Sequence, residues 1–364
     1  MENFRLRKYE RSDLDKIKQM LKTHFDAEYV PKRRILFDWI ASHNPAACNY
    51  TTYLIIEDKA RIIAYLGRMP VDFMVNGKRE SAFFTHDLLV HPEYRKGGQG
   101  VFLTNRLSAA IEEMTNTFFG MLWMSHLNYL IHKRRGYHEL KTYSFVKFLN
   151  SSLLLKKIIK NRLLLRLLPP LVQELFFLVD FVISKLMYSD MISSQIKKFD
   201  RRFDTLADEI SKKFTLIVLR HSDYLNWKYV DKPFANYTIF AAERNNKLTG
   251  YIVLQIKKDG EEGTNGIIVD ILSDPNDSQS IAFLCQIAIN FFKKEEVNVI
   301  NCYLTDKRFI RVFKKFLFFK RRWTIPVLIA NRTKHCFQNL ITELNSWFLT
   351  YGDSDGFMWD RNNV

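Results

Sequence analysis

Apolar residues at strand and helix spacings succeed one another along the first 149 residues. Phe4 to Tyr9 reads as a short strand. Ser12-Asp13-Leu14-Asp15 is a helix start, with Leu14, Ile17, Met20 and Leu21 following at helical spacing. More helix is expected between Pro31 and Ser42. Tyr53 to Ile56 and Ile62 to Leu66 flank the turn Asp58-Lys59 as a hairpin. Val71 to Val75 and Glu80 to Val90 flank Asn76-Gly77 as a second. A glycine-rich turn then leads into a helical run, Val101 to Met114. Phe118 to Met124 is a strand, Asn128 to Arg135 a helix ending at Gly136, and Tyr143 to Phe148 a last strand. The order predicts a mixed α/β unit over residues 1–149, with an antiparallel-rich sheet.

Residues 150–213 have a different pattern. Ser151 to Leu168 carries Lys156, Lys157, Lys160, Arg162 and Arg166 and no acid. Pro169-Pro170 is expected to break the helix there. From Leu171 to Ser189, Gln173, Glu174, Asp180, Ser184 and Lys185 share one side and the rest is largely apolar. Neither segment has the ~20 uninterrupted apolar residues of a membrane span. A helical hairpin packed on the rest of the chain is one reading. A basic, peripheral membrane contact through 151–189 is the other. A third helix is expected over Ser194 to Lys212.

The second half repeats features of the first. Trp39-x5-Pro45 and Asn49-Tyr50-Thr51 recur as Trp227-x5-Pro233 and Asn236-Tyr237-Thr238. Tyr65 is matched by Tyr251, and Asp87-Leu88-Leu89-Val90-His91-Pro92 by Asp270-Ile271-Leu272-Ser273-Asp274-Pro275. The separation drifts from 188 residues at Trp39/Trp227 to 183 at Asp87/Asp270. The matches keep their order, which small loop deletions preserve. Residues 214–364 are therefore expected to form a second, similar unit that lacks its first strand and helix or borrows them from the linker.

With 47% hydrophobic and 26% charged residues, the chain supports globular cores and is not expected to be disordered. Cys48, Cys285, Cys302 and Cys336 show no C-x-x-C pair, and the first residues carry no signal-peptide core. Both features favour a reduced, cytoplasmic setting. The formal charge of +16 calls for anionic partners. Nucleic acid is disfavoured because no reader motif accompanies the charge. Asp353-Ser354-Asp355-Gly356 lacks the downstream Glu of a calcium loop, so no metal site is expected.

The chemistry concentrates in Val90-His91-Pro92-Glu93-Tyr94-Arg95-Lys96-Gly97-Gly98-Gln99-Gly100. A basic, glycine-rich turn between a strand and a helix suits a phosphate, because the first N–H groups of the helix have no partner within it. The pattern is neither G-x-x-x-x-G-K-[ST] nor G-x-G-x-x-G. Arg95-x-x-Gly98-x-Gly100 resembles the pyrophosphate signature [QR]-x-x-G-x-[GA] of the GNAT acyltransferase superfamily. The resemblance extends to the element order of residues 1–149 and implies two GNAT-like domains joined by a helical segment. It implies acetyl-CoA as co-substrate, with Arg95, Lys96, Gly97, Gly98, Gln99 and Gly100 on the pyrophosphate. Leu88, Leu89 and Val90 would pair with the pantetheine arm, and Asn128 matches a cofactor-touching Asn of the family. His86, nine residues before Arg95, stands where arylalkylamine-type members carry a catalytic base. Asp87 is its rival, and an alternating strand would point the two to opposite faces. His132 occupies the position of the family's thiolate acid, although a surface His is the competing reading.

The second unit reads Ser273-Asp274-Pro275-Asn276-Asp277 where the first has its basic loop, so a pyrophosphate would be repelled there. One active site is expected, in the first half. The resemblance points to an acetyl-CoA-dependent acyltransferase acting on a small amine or sugar acceptor, such as an amino sugar or nucleotide sugar of surface polysaccharide. A FemABX-like aminoacyl transferase and a non-catalytic acyl-CoA-binding regulator are the alternatives.

Overall fold

The computed structural model describes residues 4–47, 52–114, 119–122, 126–186, 190–258, 263–330 and 338–353. Asn49-Tyr50-Thr51 and Ser354-Asp355-Gly356 lie outside the described residues. The first half opens with β1 (Arg5–Lys8), α1 (Leu14–Lys22) and α2 (Tyr29–His43). β2 (Tyr53–Asp58) and β3 (Arg61–Val75) are joined by Lys59 and Ala60, at φ 47° and 68°. β3 and β4 (Lys78–Val90) turn through Asn76 and Gly77, at φ 47° and 76°. Two consecutive left-handed residues match the right-handed twist of the flanking strands. The apolar runs 62–66 and 71–75 are one 15-residue strand, because Gly67 to Pro70 keep pairing with β4. α3 (Gln99–Glu113), β5 (Phe119–Leu122), α4 (His126–Arg134) and β6 (His138–Phe148) follow.

The period-two pattern of β2 sorts its side chains onto two faces. Tyr53 and Ile55 pack with Ile17, Met20 and Leu21 of α1 and Phe37 and Ile40 of α2. Leu54 and Ile56 pack on the opposite side with Leu103, Leu107 and Ile111 of α3.

The chain continues through α5 (Ser151–Ile158), α6 (Leu164–Leu186), β7 (Ile192–Ile196) and α7 (Arg201–Ser211). The break between α5 and α6 is not at the prolines. Pro169 and Pro170 lie inside α6. The side chain of Asn161 accepts the N–H groups of Leu163 and Leu164, at 2.9 and 3.4 Å, and this cap sets the helix start. The expected helix over 194–212 is also corrected. Ile192–Ile196 is a strand paired antiparallel with a later one, and α7 starts only after Asp200, whose carboxylate accepts the N–H of Arg202. The strand is mostly exposed, so it carries no apolar alternation to read.

β8 (Leu216–Val218) and α8 (Ser222–Leu225), prolonged by a wide turn at Asn226–Val230, lead to β9 (Thr238–Arg244) and β10 (Lys247–Lys257). β11 (Asn265–Ser273), α9 (Ser278–Lys294), β12 (Val299–Tyr303), α10 (Lys307–Lys315), β13 (Phe319–Ile329), α11 (Gln338–Ile341) and β14 (Trp347–Phe348) complete the chain.

The strands form one continuous sheet in the order β1-β2-β3-β4-β5-β13-β6-β12-β11-β10-β9-β7, with β8 and β14 off this path. β4 and β5 are parallel, as are β11 and β12, while the other neighbours on the path run antiparallel. β13 sits between β5 and β6, and β6 between β13 and β12, so each half places its last long strand against the other. Matching β1–β6 with β7, β9, β10, β11, β12 and β13 makes the order read alike from either edge.

Candidate functional site

The glycine-rich turn is shaped by its backbone. Pro92–Gly98 is a tight helical stretch interrupted at Lys96 (φ −78°, ψ 160°) and Gly97 (φ 58°). Gly98, at φ 81°, stands immediately before α3. A Cβ on Gly97 or Gly98 would meet no atom within 4 Å, so left-handed backbone, not crowding, calls for glycine at both. Gly100 answers a different need, since a Cβ there would lie 3.3 Å from the Cα of Arg95. Gly98 brings no side chain to cap α3, and residues 95–98 are exposed. The exposed N-terminal end of α3 therefore meets two cationic residues, Arg95 and Lys96. The Arg95 guanidinium also donates through Nε to the Val90 carbonyl at 2.9 Å, which fastens the turn to the strand.

The strand feeding this turn parts from its neighbour. β4 pairs with β5 only at Phe83 and Phe84, opposite Phe119 and Gly120. β5 continues along β13 instead, with Leu122 opposite Val327. Beyond Phe84, the β5-side edge of β4 has no strand partner among the described residues. Leu88, Leu89 and Val90 lie on that edge and run into the turn, so Leu88 to Gly100 form one continuous rim. His24 of the α1–α2 connection also donates to the Val90 carbonyl at 2.9 Å.

His86 and Asp87 precede this rim. The expectation that they face opposite sides does not hold. Tyr65 pairs with Leu89 but Gly67 with His86, so β4 bulges there, and Asp87 takes φ 51°. The bulge breaks the alternation and turns both side chains toward α2. The Asp87 carboxylate forms a buried ion pair with Arg33 Nη2 and accepts from the Tyr53 hydroxyl at 3.4 Å. Burial lifts its pKa to about 6, against the pull of Arg33. The His86 ring lies over Gly67, where a Cβ would come within 2.5 Å of it, and meets Tyr53 edge-on at 5.1 Å. Burial, helped by the charge of Arg33, pushes the imidazole down to about 3, so it is neutral near pH 7. Arg33 and Tyr53 went unread in the sequence, because their link to β4 exists only in the fold.

The second half holds a matching trio. Asp270 takes Arg220 Nε at 3.2 Å and the hydroxyls of Tyr251 and Tyr229 at 3.0 and 3.1 Å. Arg33 and Asp87 are matched by Arg220 and Asp270, and Tyr251 stands at the repeat position of Tyr65, while the hydroxyl that reaches Asp87 is that of Tyr53. Asp353 is committed to the same cluster, 2.8 Å from Arg220 Nη2. The helix starts differ, however. Asp277 caps α9 through the N–H groups of Gln279 and Ser280, at 3.1 and 3.0 Å. A carboxylate thus occupies the end that is left uncapped in α3.

The sequence matches no family model and no curated protein. Solved structures do match. A GCN5-related N-acetyltransferase from Anabaena variabilis ATCC 29413 aligns at TM-score 0.59 and 12% identity, over 91% of this chain and 73% of its own. The chain has the GCN5-related N-acetyltransferase fold. A probable N-acyltransferase from Enterococcus faecalis V583 aligns at TM-score 0.58 and 12% identity, over 90% and 72% of the two chains. Saccharomyces cerevisiae N-myristoyltransferase with bound myristoyl-CoA aligns at 0.52 and 12%, over 90% and 83%.

Within this GCN5-related fold, His132 stands apart from His86 and Asp87. It is neither exposed nor on their side of the sheet. Its Nδ1 donates to the Asn128 carbonyl at 2.8 Å, its Nε2 accepts from the Ser108 hydroxyl of α3 at 3.0 Å, and Tyr137 meets it edge-on. Both ring nitrogens are engaged in holding α4 to α3, and burial lowers the pKa. Asn128 lies half-buried in the first turn of α4, which starts two residues earlier than expected. Beside them, buried Glu112 accepts from Arg135 at 2.8 Å and from the Tyr137 hydroxyl at 3.0 Å. The two Trp-x5-Pro elements meet across the molecule. Trp39 and Trp227 stack at 4.7 Å and 14°, and with Pro45 and Pro233 they border a cleft of about 740 Å³.

Proposed function

We propose that this chain is an acyl-CoA-dependent N-acyltransferase whose donor lies along the rim from Leu88 to Gly100. The observation that carries the reading is the turn itself: two glycines at positive φ, an uncapped and exposed helix start, and two cationic residues beside it. Backbone N–H groups of Lys96 to Gly100, other than that of Gln99, which donates to the Lys96 carbonyl, hold the pyrophosphate, and Arg95 and Lys96 add charge. The edge at Leu88 and Leu89, ahead of the Val90 carbonyl that Arg95 and His24 already occupy, takes the pantetheine arm. Asn128 is retained as a cofactor contact on the family resemblance. The same turn favours a CoA donor over the aminoacyl reading. The finer assignment is acetyl transfer to an amine, with amino sugars, including those of surface polysaccharide, as the first acceptors to try. Myristoyl-CoA, bound in the yeast neighbour, is the second donor.

His86 is the proposed base. Its counterpart in the second half is Val269, so the fold does not need a histidine there. Asp87 recurs as Asp270 with its own Arg and Tyr, which fits a strut. His132 already spends both ring nitrogens, so the thiolate is proposed to leave unassisted by it. We read the second half as a copy without a donor site, since Asp277 holds the start of α9.

Calorimetric titration with acetyl-CoA and myristoyl-CoA tests the donor. Gly98→Ala should weaken binding at least about tenfold. It should cost only about 1 kcal/mol of stability, since a Cβ there meets open space and left-handed backbone is its sole penalty. Absence of CoA binding by the intact chain sinks the reading. Binding without thiol release in the presence of any amine replaces it with a non-catalytic acyl-CoA-binding protein.

A further inference from the structure

α6 is set against the body with its polar side inward. Gln173 accepts the N–H of Ser151 at 3.0 Å, and buried Asp180 takes Lys147 at 2.9 Å and Lys293 at 2.8 Å. Val172 and Phe176 pack beside them on Val146, Phe148 and Val299. The opposite side is uncovered and mostly apolar, with exposed Glu174 set among its leucines. Leu167, Leu171, Leu175, Leu178 and Phe181 are 58%, 67%, 54%, 56% and 54% exposed. An ordinary surface helix has the reverse arrangement, and a helix apolar all round is normally enclosed. The sequence wheel left the orientation open, because the partners of Gln173 and Asp180 lie on other elements.

We propose that the exposed face of α6 docks in the plane of an anionic membrane surface. Charge selects this occupant. Lys156, Lys160, Arg162, Arg166 and Lys185 are exposed along the basic rim of α5, the link 159–163 and α6, against Glu174 as the one exposed acid among the described residues of α5 and α6. A second copy would bring this rim against an identical one on a chain of charge +16. Anionic headgroups complement it, while the leucines enter the acyl boundary. The helix lies along the surface and does not span the bilayer. Its inward side is tied to the body by Asp180, and no helix among the described residues is long and apolar enough to cross. The proposal is independent of the donor site.

Flotation of the full chain with vesicles tests it, using phosphatidylcholine alone and phosphatidylcholine with about 30% phosphatidylglycerol. Binding is expected to the anionic vesicles only and to fall as salt rises. The triple variant Leu171→Glu, Leu175→Glu, Leu178→Glu should lose it at least about tenfold without a change in melting temperature, because these side chains touch solvent. Arg162→Gln with Arg166→Gln should weaken the anionic preference and keep the fold. Failure of the intact chain to bind, or equal binding to both vesicle types, overturns the proposal. A dimer by light scattering that the triple variant dissociates, with no vesicle binding, assigns the face to a second copy and overturns it as well.

Discussion

His86 and Asp87 are adjacent, and burial moves their ionisations in opposite directions. His86 falls from 6.5 to about 3. The unfolded chain therefore takes a proton that the folded chain refuses, so its stabilising share is full above 6.5 and is lost as pH drops toward 3. Asp87 rises from 3.8 to about 6. Its share runs the other way, present below 3.8 and lost as pH rises through 6. His86→Gln removes the first dependence alone. Urea denaturation of the variant should show the drop in stability from pH 7.5 to pH 5 reduced by roughly 2 kcal/mol relative to the parent chain. An unchanged drop would mean that the imidazole is protonated in the fold. Catalysis separates the two residues by the same logic. A base at His86 leaves kcat/KM without an acid limb near pH 6, whereas a base at Asp87 puts one there that Asp87→Asn abolishes. The turn was legible residue by residue, because Gly97, Gly98 and Gly100 announce their backbone. The bulge was not. Alternation assumes an unbroken ladder, and Asp87 at φ 51° is held by Arg33, 54 positions away.

At the scale of elements, α6 depends on one carboxylate. Asp180 is buried between Lys147, almost wholly enclosed, and Lys293, about a third exposed. Asp180→Ala leaves a buried ammonium without its counter-charge and should cost about 3–5 kcal/mol in urea denaturation. Lys147→Met should cost clearly less, since it replaces the enclosed cation with an apolar chain while Asp180 keeps Lys293. Equal losses from the two changes would show that Lys293 does not by itself satisfy the carboxylate, so that each change strands a buried charge. The helical segment was visible in the sequence, but its break was not. Two prolines outweigh one Asn in any reading of local propensity, yet the Asn161 cap fixes the start and α6 accommodates both prolines within its first two turns. The orientation of α6 was equally hidden, because a helical wheel ranks its own side chains and carries nothing about Lys147 or Lys293.

At the scale of the whole molecule, the two halves are joined by exchanged strands. β13 pairs with β5 through Val327, Leu328 and Ile329, and β6 pairs with β12 from Ser144 to Phe148. The repeated Trp, Tyr and Asp positions were readable because they keep their order, whereas the exchange was not, since both strands look alike to any local pattern. A chain ending at residue 149 loses the strand between β5 and β6. Both edges then open, and Leu140 and Phe145 of β6 lose the partners that bury them in the shared core. We expect this fragment to be unfolded or aggregated by amide-proton dispersion and light scattering. The intact chain should melt in a single calorimetric transition, with the calorimetric and van't Hoff enthalpies equal. Co-expression of 1–149 with 150–364 should restore a soluble complex, because every strand pairing then returns without the covalent link. A soluble, dispersed 1–149, or two resolved transitions in the intact chain, would mean that β6 can fold back beside β5. In that case each half is a self-sufficient unit, and the exchange is one of two accessible arrangements.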